Sequence, residues 1–182
     1  MGQTNQTITL GGGCFWCTEA VFVRVQGVLD VESGYCNGET AQPSYEQVCT
    51  GRTGHNEVVK LVYDPAHISV RDILEIFFVI HDPTTLNAQG NDHGTQYRSG
   101  IYFSTPEQQQ LALALIAELE HSGVYPRAIL TEVLPQANYW SAEDYHQDFF
   151  EKNPGQGYCL AVAAPKVAKF RKTFARLQKP DR

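Results

Sequence analysis

The run Gly11-Gly12-Gly13-Cys14-Phe15-Trp16-Cys17 sets two thiols three residues apart behind three glycines, a spacing suited to thiol chemistry or to half of a metal site. Ahead of it, Gln6 to Leu10 reads as a strand with Ile8 and Leu10 on one face. Behind it, Ala20, Val21, Phe22 and Val25 recur at helical spacing. Glycine permits a tight, close-approaching backbone, so Cys14 is expected at or just before a helix N-terminus. Unpaired N–H groups and the positive end of the dipole there favour a thiolate, which is a nucleophile. The competing reading makes Cys14 a small buried apolar residue, for which three glycines would be idle. Zinc would need a second close cysteine pair or two histidines at ligand spacing. Cys36, Cys49 and Cys159 are scattered, and the six histidines contain no such pair. No metal or other cofactor is therefore expected.

Two further runs carry more polar and aromatic groups than surface turns need. One is Pro43-Ser44-Tyr45-Glu46-Gln47-Val48-Cys49 continuing to His55-Asn56-Glu57, and the other is Gly90-Asn91-Asp92-His93-Gly94-Thr95-Gln96-Tyr97-Arg98-Ser99. Each leads from a loop into a strand, where a rigid scaffold commonly holds catalytic groups. Taken singly they have plain explanations: Glu57 as a solvated strand-edge charge, Asp92 as the start of an Asx turn.

The elements that must position these groups alternate along the chain. Strands are expected at Val28 to Tyr35, Glu57 to Tyr63, Gly100 to Ser104 and Ala128 to Leu134. Ser69-Val70-Arg71-Asp72 opens a helix through Ile80, and Thr105-Pro106-Glu107-Gln108 opens one to about Ser122. A long loop runs from Asp82 to about Tyr97. Ser141-Ala142-Glu143-Asp144 caps a short helix ending near Asn153-Pro154, and Pro165 opens the terminal one. About five strands and five helices give a two-layer α/β sandwich with an antiparallel or mixed sheet and an extended C-terminal segment.

At 182 residues the chain is expected to form a single domain, 1–182. A formal charge of −6 disfavours nucleic acid. No apolar stretch is long enough to span a bilayer, and no export signal is visible. Met1-Gly2 begins like an acylation site, but Gln6 stands where Ser or Thr is wanted. Five cysteines are an odd number for a paired framework and read as cytoplasmic thiols.

Together the motifs resemble a family. Gly-Cys14-Phe15-Trp16, Pro-Ser-Tyr45-Glu-Gln-Val-Cys49-Thr-Gly-x-Thr-Gly-His55-x-Glu57-Val, Gly-Asn-Asp92-x-Gly-Thr-Gln-Tyr97-Arg-Ser, Ala142-Glu143-Asp144-Tyr145-His146-Gln147 and Lys152-Asn153-Pro154 stand in the order of the A-type peptide methionine sulfoxide reductases. That resemblance implies a ferredoxin-like α/β core and reduction of methionine S-sulfoxide, free or in proteins, in repair after oxidation. It implies Cys14 as nucleophile and Phe15 and Trp16 as the wall for the substrate's methyl group. Glu57 would supply a proton to the sulfoxide oxygen with the hydroxyls of Tyr45 and Tyr97, and Asp92 would complete the polar pocket. Electrons would come from thioredoxin or another dithiol, and a monomer is the family precedent. Cys17, Cys36-Asn37 and Asn56 depart from the pattern without removing a catalytic group.

The chemistry supports those roles. Sulfoxide oxygen leaves only after protonation, so a thiolate must face an acid, and burial must raise that acid's pKa. Attack leaves Cys14 as sulfenic acid, which a second thiol converts to a disulfide. Cys159, in the glycine-rich Gly155-Gln156-Gly157-Tyr158-Cys159, is the first candidate for that thiol, with Cys17 the alternative. Cys36 and Cys49 are expected to be packing thiols, Cys49 in a buried turn. The alternative function is a thioredoxin-like disulfide oxidoreductase using Cys14-x-x-Cys17, although Cys14 follows a single strand and leaves little room for a preceding βα unit.

Overall fold

The computed structural model describes residues 4–180; Met1-Gly2 lies outside them. Strand β1 (Gln6–Gly12) lies in mid-sheet, antiparallel to both β3 (Asn56–Tyr63) and β6 (Ser99–Phe103). Strand β2 (Val28–Cys36) pairs antiparallel with the far side of β3. With helices α1 (Phe15–Phe22) and α3 (Val70–Ile80), the chain runs β1-α1-β2-β3-α3-β6 in spatial order β6-β1-β3-β2. This is the split βαβ arrangement of a ferredoxin-like core. Strand β7 (Glu132–Pro135) adds parallel to β6, and β8 (Trp140–Ser141) adds antiparallel to β2, so the sheet is mixed.

Side-chain alternation decides what the sheet presents to its helices. Along β3, Glu57 shares a face with Val59, Leu61 and Tyr63, all buried in the main core, while Val58 joins a small opposite cluster with Cys36 and Tyr102. Seven of the eight residues of α1 are buried. A helix buried all round must be covered on both sides. The sheet covers one side of α1 and the C-terminal arm covers the other. That arm comprises α5 (Phe149–Lys152), a π-helical turn (Cys159–Ala163) and α6 (Ala164–Thr173).

Side-chain links fasten the arm. Arg24 pairs with Glu151, and Glu19 accepts the backbone N–H groups of Asp148 and Phe149 at 3.0 and 3.3 Å. Gln147 both accepts from the Ser33 N–H and donates to the Ser33 carbonyl, each at 2.9 Å, clipping the arm to the edge of β2.

The caps expected at Ser69 and Thr105 hold, whereas Ser141, expected to cap a helix, ends the short strand β8 and caps none. Ser69 accepts from the Asp72 N–H at 3.0 Å, and Thr105 accepts from Gln108 at 3.2 Å to open α4 (Pro106–Ser122). Elsewhere the chain departs from the expectation. Ser44-x-x-Gln47 forms a complete capping box and starts a short helix, α2 (Tyr45–Cys49), within the first loop-rich run. The 82–97 loop contains a small hairpin, β4 (Ala88–Gln89) with β5 (Asp92–His93). The β7 ladder begins at Glu132 rather than Ala128. Glu143 precedes a 3-10 turn over Asp144–His146, with α5 starting only at Phe149.

Candidate active site

Gly13 has φ +95°, and a Cβ there would meet the Gln89 side chain at 2.7 Å, so only glycine makes the turn from β1 into α1. Cys14 follows as the N-cap of α1, 8 % exposed. It opens on a cavity of about 190 Å³ walled also by Asp92, Tyr158 and Lys166.

The helix terminus alone does not make Cys14 a resting thiolate. Burial pushes its thiol well above the usual range. A side-chain hydrogen bond with Cys17 and the nearby Glu57 carboxyl add to this, against the single opposing help of the Trp16 N–H. Cys17 moves the other way, lowered first by that hydrogen bond from Cys14 and then by the charge of Lys166. Desolvation thus outweighs the helix dipole at Cys14.

Glu57 lies behind Cys14 and is 1 % exposed. Its Oε1 accepts the Phe15 N–H at 3.2 Å, and its Oε2 has no partner. Burial pushes its pKa up to about 8, the Phe15 N–H opposing and Asp92 and Cys17 assisting. At neutral pH it is therefore a carboxylic acid able to donate. Tyr45, on α2, and Tyr97, at the end of the second loop, are half-buried; burial holds both phenols protonated, and Glu57 adds to this once it ionises. Cys14 is also among the groups acting on Tyr97.

Asp92 lies across the cavity, where its Oδ2 accepts from the Tyr158 hydroxyl at 2.5 Å. The Cys17 thiol in turn reaches that hydroxyl at 3.9 Å, so Cys17, Tyr158 and Asp92 form a chain of polar contacts.

Phe15 and Trp16, expected to wall the substrate's methyl group, sit differently, and neither lines the Cys14 cavity. Phe15 is fully buried, packed against Tyr35 and Tyr45, while Trp16 remains partly exposed. Trp16 stacks on Phe149 at 3.8 Å with a 5° interplanar angle, and its indole N–H donates to Nδ1 of His146 at 2.9 Å. The imidazole must then be neutral, which its burial also favours.

The remaining thiols fall into two kinds. Cys36 is fully buried and its thiol is pushed up to about 12 by burial, as suits packing. Cys49 is exposed at the end of α2, contrary to the buried turn expected from its neighbour Val48, because on a helix the two residues face different directions. Cys159 is fully buried at the start of the π-helical turn, and its thiol is raised by burial and by Cys17.

The structure thus gathers Cys14, Cys17, Phe15, Trp16, Tyr45, Glu57, Asp92 and Tyr97 about one helix terminus. Residue types alone gave His146, Phe149, Tyr158 and Glu19 no role. Only the aromatic and polar density of the C-terminal motifs hinted at one. Among the described residues, no cluster of three or more His, Cys, Asp or Glu side chains is placed to hold a metal.

The pattern of the family described as "Peptide methionine sulfoxide reductase" matches residues 6–178. The chain belongs to that family. A "Peptide methionine sulfoxide reductase MsrA" of Polynucleobacter asymbioticus is 55 % identical over 98 % of this chain and 94 % of its own. Among solved structures, Mxr1 from Saccharomyces cerevisiae in reduced form is 37 % identical, with TM-score 0.78 over 85 % of this chain and 89 % of its own. Mxr1 in complex with Trx2 matches at 25 % identity and TM-score 0.55, over 80 % of this chain and 84 % of its own. As a peptide methionine sulfoxide reductase, the chain is an oxidoreductase acting on sulfur, and the disulfide-oxidoreductase alternative falls. No helix among the described residues is long and apolar enough to cross a membrane.

Proposed function

We propose that this chain, as one domain, reduces methionine S-sulfoxide, free or in proteins, through Cys14. The observation that carries the reading is the pairing of a buried thiol with Glu57, a carboxyl that burial keeps protonated and whose Oε2 is unengaged. With Cys17 ionised, Cys14 passes its proton to it along their shared hydrogen bond and attacks the sulfoxide sulfur, forming an S–S bond that breaks again as methionine leaves. Glu57 gives its proton to the oxygen, which moves to Cys14 as the S–O bond to the substrate breaks. Methionine leaves, and Cys14 becomes a sulfenic acid. The Tyr45 and Tyr97 hydroxyls steady the oxygen without adding charge, and Asp92 orders the opposite wall.

Cys17 then forms the first disulfide with Cys14, and the sulfenic oxygen leaves as water with the Cys17 proton. Its hydrogen bond with Cys14 favours it for this step, whereas Cys159 feels only the charge of Cys17 and shares no such bond with Cys14. Cys159 takes the disulfide onward by exchange with Cys17. A dithiol such as thioredoxin supplies two electrons and two protons, a role for which the Mxr1–Trx2 complex is the precedent. Five free thiols suit a reducing compartment such as the cytoplasm.

The test is mass spectrometry after one equivalent of substrate. Cys17→Ser is expected to release one methionine and stall as sulfenic acid, and Cys159→Ser to stop at a Cys14–Cys17 disulfide. Normal cycling of Cys17→Ser with a stalled Cys159→Ser would assign the first step to Cys159.

A further inference from the structure

Beside the Cys14 cavity runs a groove of about 670 Å³. The two share Gln89 and Lys166 as walls, so they lie side by side. A single helical stripe traces the path: Val162 faces the Cys14 cavity, Lys166 faces both hollows, and Lys169 and Thr173 line the groove. From Lys166 to Thr173 is about 10 Å of helix, the reach of about three residues of extended chain. Opposite this stripe, Phe78 and Val79 meet Val124 and Tyr125, and these four lead on into a second hollow of about 350 Å³.

The charge here runs against that of the chain. Arg127, Lys166 and Lys169 face a single carboxylate, Asp82, in a protein of net charge −6. Lys166 and Lys169 make no ion pair among the described residues, and Arg127 stands 4.0 Å from Asp82.

We propose that the groove holds the stretch of substrate polypeptide flanking the oxidised methionine, and that Lys169 and Arg127 give it a preference for aspartate or glutamate within about three residues of that methionine. The apolar walls take up the chain's own apolar side chains, and the cations select the flanking charge. The proposal rests on the Cys14 reading above.

The probes are three: free methionine S-sulfoxide, a short peptide with one methionine S-sulfoxide flanked by aspartates, and the same peptide flanked by lysines. Wild type is expected to favour the aspartate peptide in kcat/KM. Lys169→Glu or Arg127→Glu is expected to cut that preference roughly five-fold each, as exposed ion pairs do. Lys169→Arg retains it, added salt weakens it, and turnover of the free amino acid, too small to reach Lys169, is unmoved. An unchanged preference in both charge-reversed variants, with the free substrate still reduced, overturns the groove alone. A change confined to the KM for thioredoxin gives the groove to the reductant and overturns it too. Wild type inert toward the free sulfoxide would instead sink the Cys14 reading on which the proposal stands.

Discussion

The two halves of the site are held in different ways. Glu57 is fixed by pairing directly opposite Tyr35 of β2, on a strand that β1 also holds from Val59 onward, and Cys14 by the β1–α1 turn. The C-terminal arm, by contrast, supplies His146, Phe149, Tyr158 and Cys159 and is attached largely by side-chain links through Glu19, Gln147 and Arg24. In the proposed mechanism the groups that meet the sulfoxide, Glu57 and Cys14, sit on a central strand and on the turn that leaves one, whereas Cys159, the thiol that takes part in exchange, sits on the arm. If this division is right, substitutions in the sheet half should abolish chemistry, and those in the arm should alter orientation and turnover.

The largest effect is expected at Cys14. Cys14→Ser should form no methionine even in a single turnover, because a hydroxyl near neutral pH is a far weaker nucleophile. Stoichiometric methionine from that variant would remove the sheet half from the chemistry. Glu57→Gln comes next, keeping a donor that cannot deliver a proton, and should slow the chemical step by roughly 10²–10⁴ with less change in KM. Because the acid must be protonated, wild-type kcat/KM should fall tenfold per pH unit above about 8, where Glu57 ionises. A basic limb that persists unchanged in Glu57→Gln would assign it to another group.

What the sequence disclosed follows the same division. Glu57 to Tyr63 was legible as a strand, and alternation alone places Glu57 with Val59 and Leu61 on the buried face. Strand order was not, since no local pattern says that β3 inserts between β1 and β2. The S-x-x-Q capping box at Ser44 was present, but it lay among turn residues and announced only a five-residue helix. A resting thiolate at Cys14 was the natural inference from a helix N-terminus. It failed because the arm that buries Cys14 contacts α1 from beyond residue 140, a separation no local reading spans. His146 and Glu19 were hidden for the same reason: their partners, Trp16 and the Asp148–Phe149 backbone, lie about 130 residues away in sequence.

A smaller effect is expected on the arm side at His146. His146→Phe leaves the Trp16 N–H without its acceptor, a loss of about 1–3 kcal/mol of positioning, and kcat/KM should drop about tenfold. His146→Gln supplies an acceptor that does not titrate and should recover most of it. Protonation of His146 removes the acceptor, so wild type should also lose activity on the acid side, below the ordinary imidazole range, and His146→Gln should not. Indole emission, read in a Trp140→Phe background, should shift in His146→Phe but not in His146→Gln. Equal losses in both variants would make His146 a packing residue with no hold on Trp16.

The smallest effect is expected where the arm is fastened, at Glu19. Its carboxyl is 2 % exposed and burial pushes its pKa up to about 7, the N–H groups of Asp148 and Phe149 opposing. A carboxyl whose folded pKa is raised binds its proton more tightly in the native state. The folded state is therefore destabilised as pH rises from the unfolded value near 4.5 to about 7, and stays so above it. That penalty is on the order of 3 kcal/mol. Glu19→Gln removes it but leaves one of the two N–H groups without its acceptor, a neutral hydrogen bond worth about 0.5–1.5 kcal/mol. At high pH the variant should therefore be the more stable protein, by about 2 kcal/mol. At pH 5, where wild type is already protonated, only the hydrogen-bond loss remains, and the variant should be the weaker protein. Glu57 imposes its own pH slope on both proteins, so the quantity to measure is the difference in thermal midpoint between them at pH 5 and at pH 9. A difference that narrows or reverses toward pH 9 places the ionisation at the arm's attachment, whereas one that is constant across that range would show that Glu19 does not titrate there.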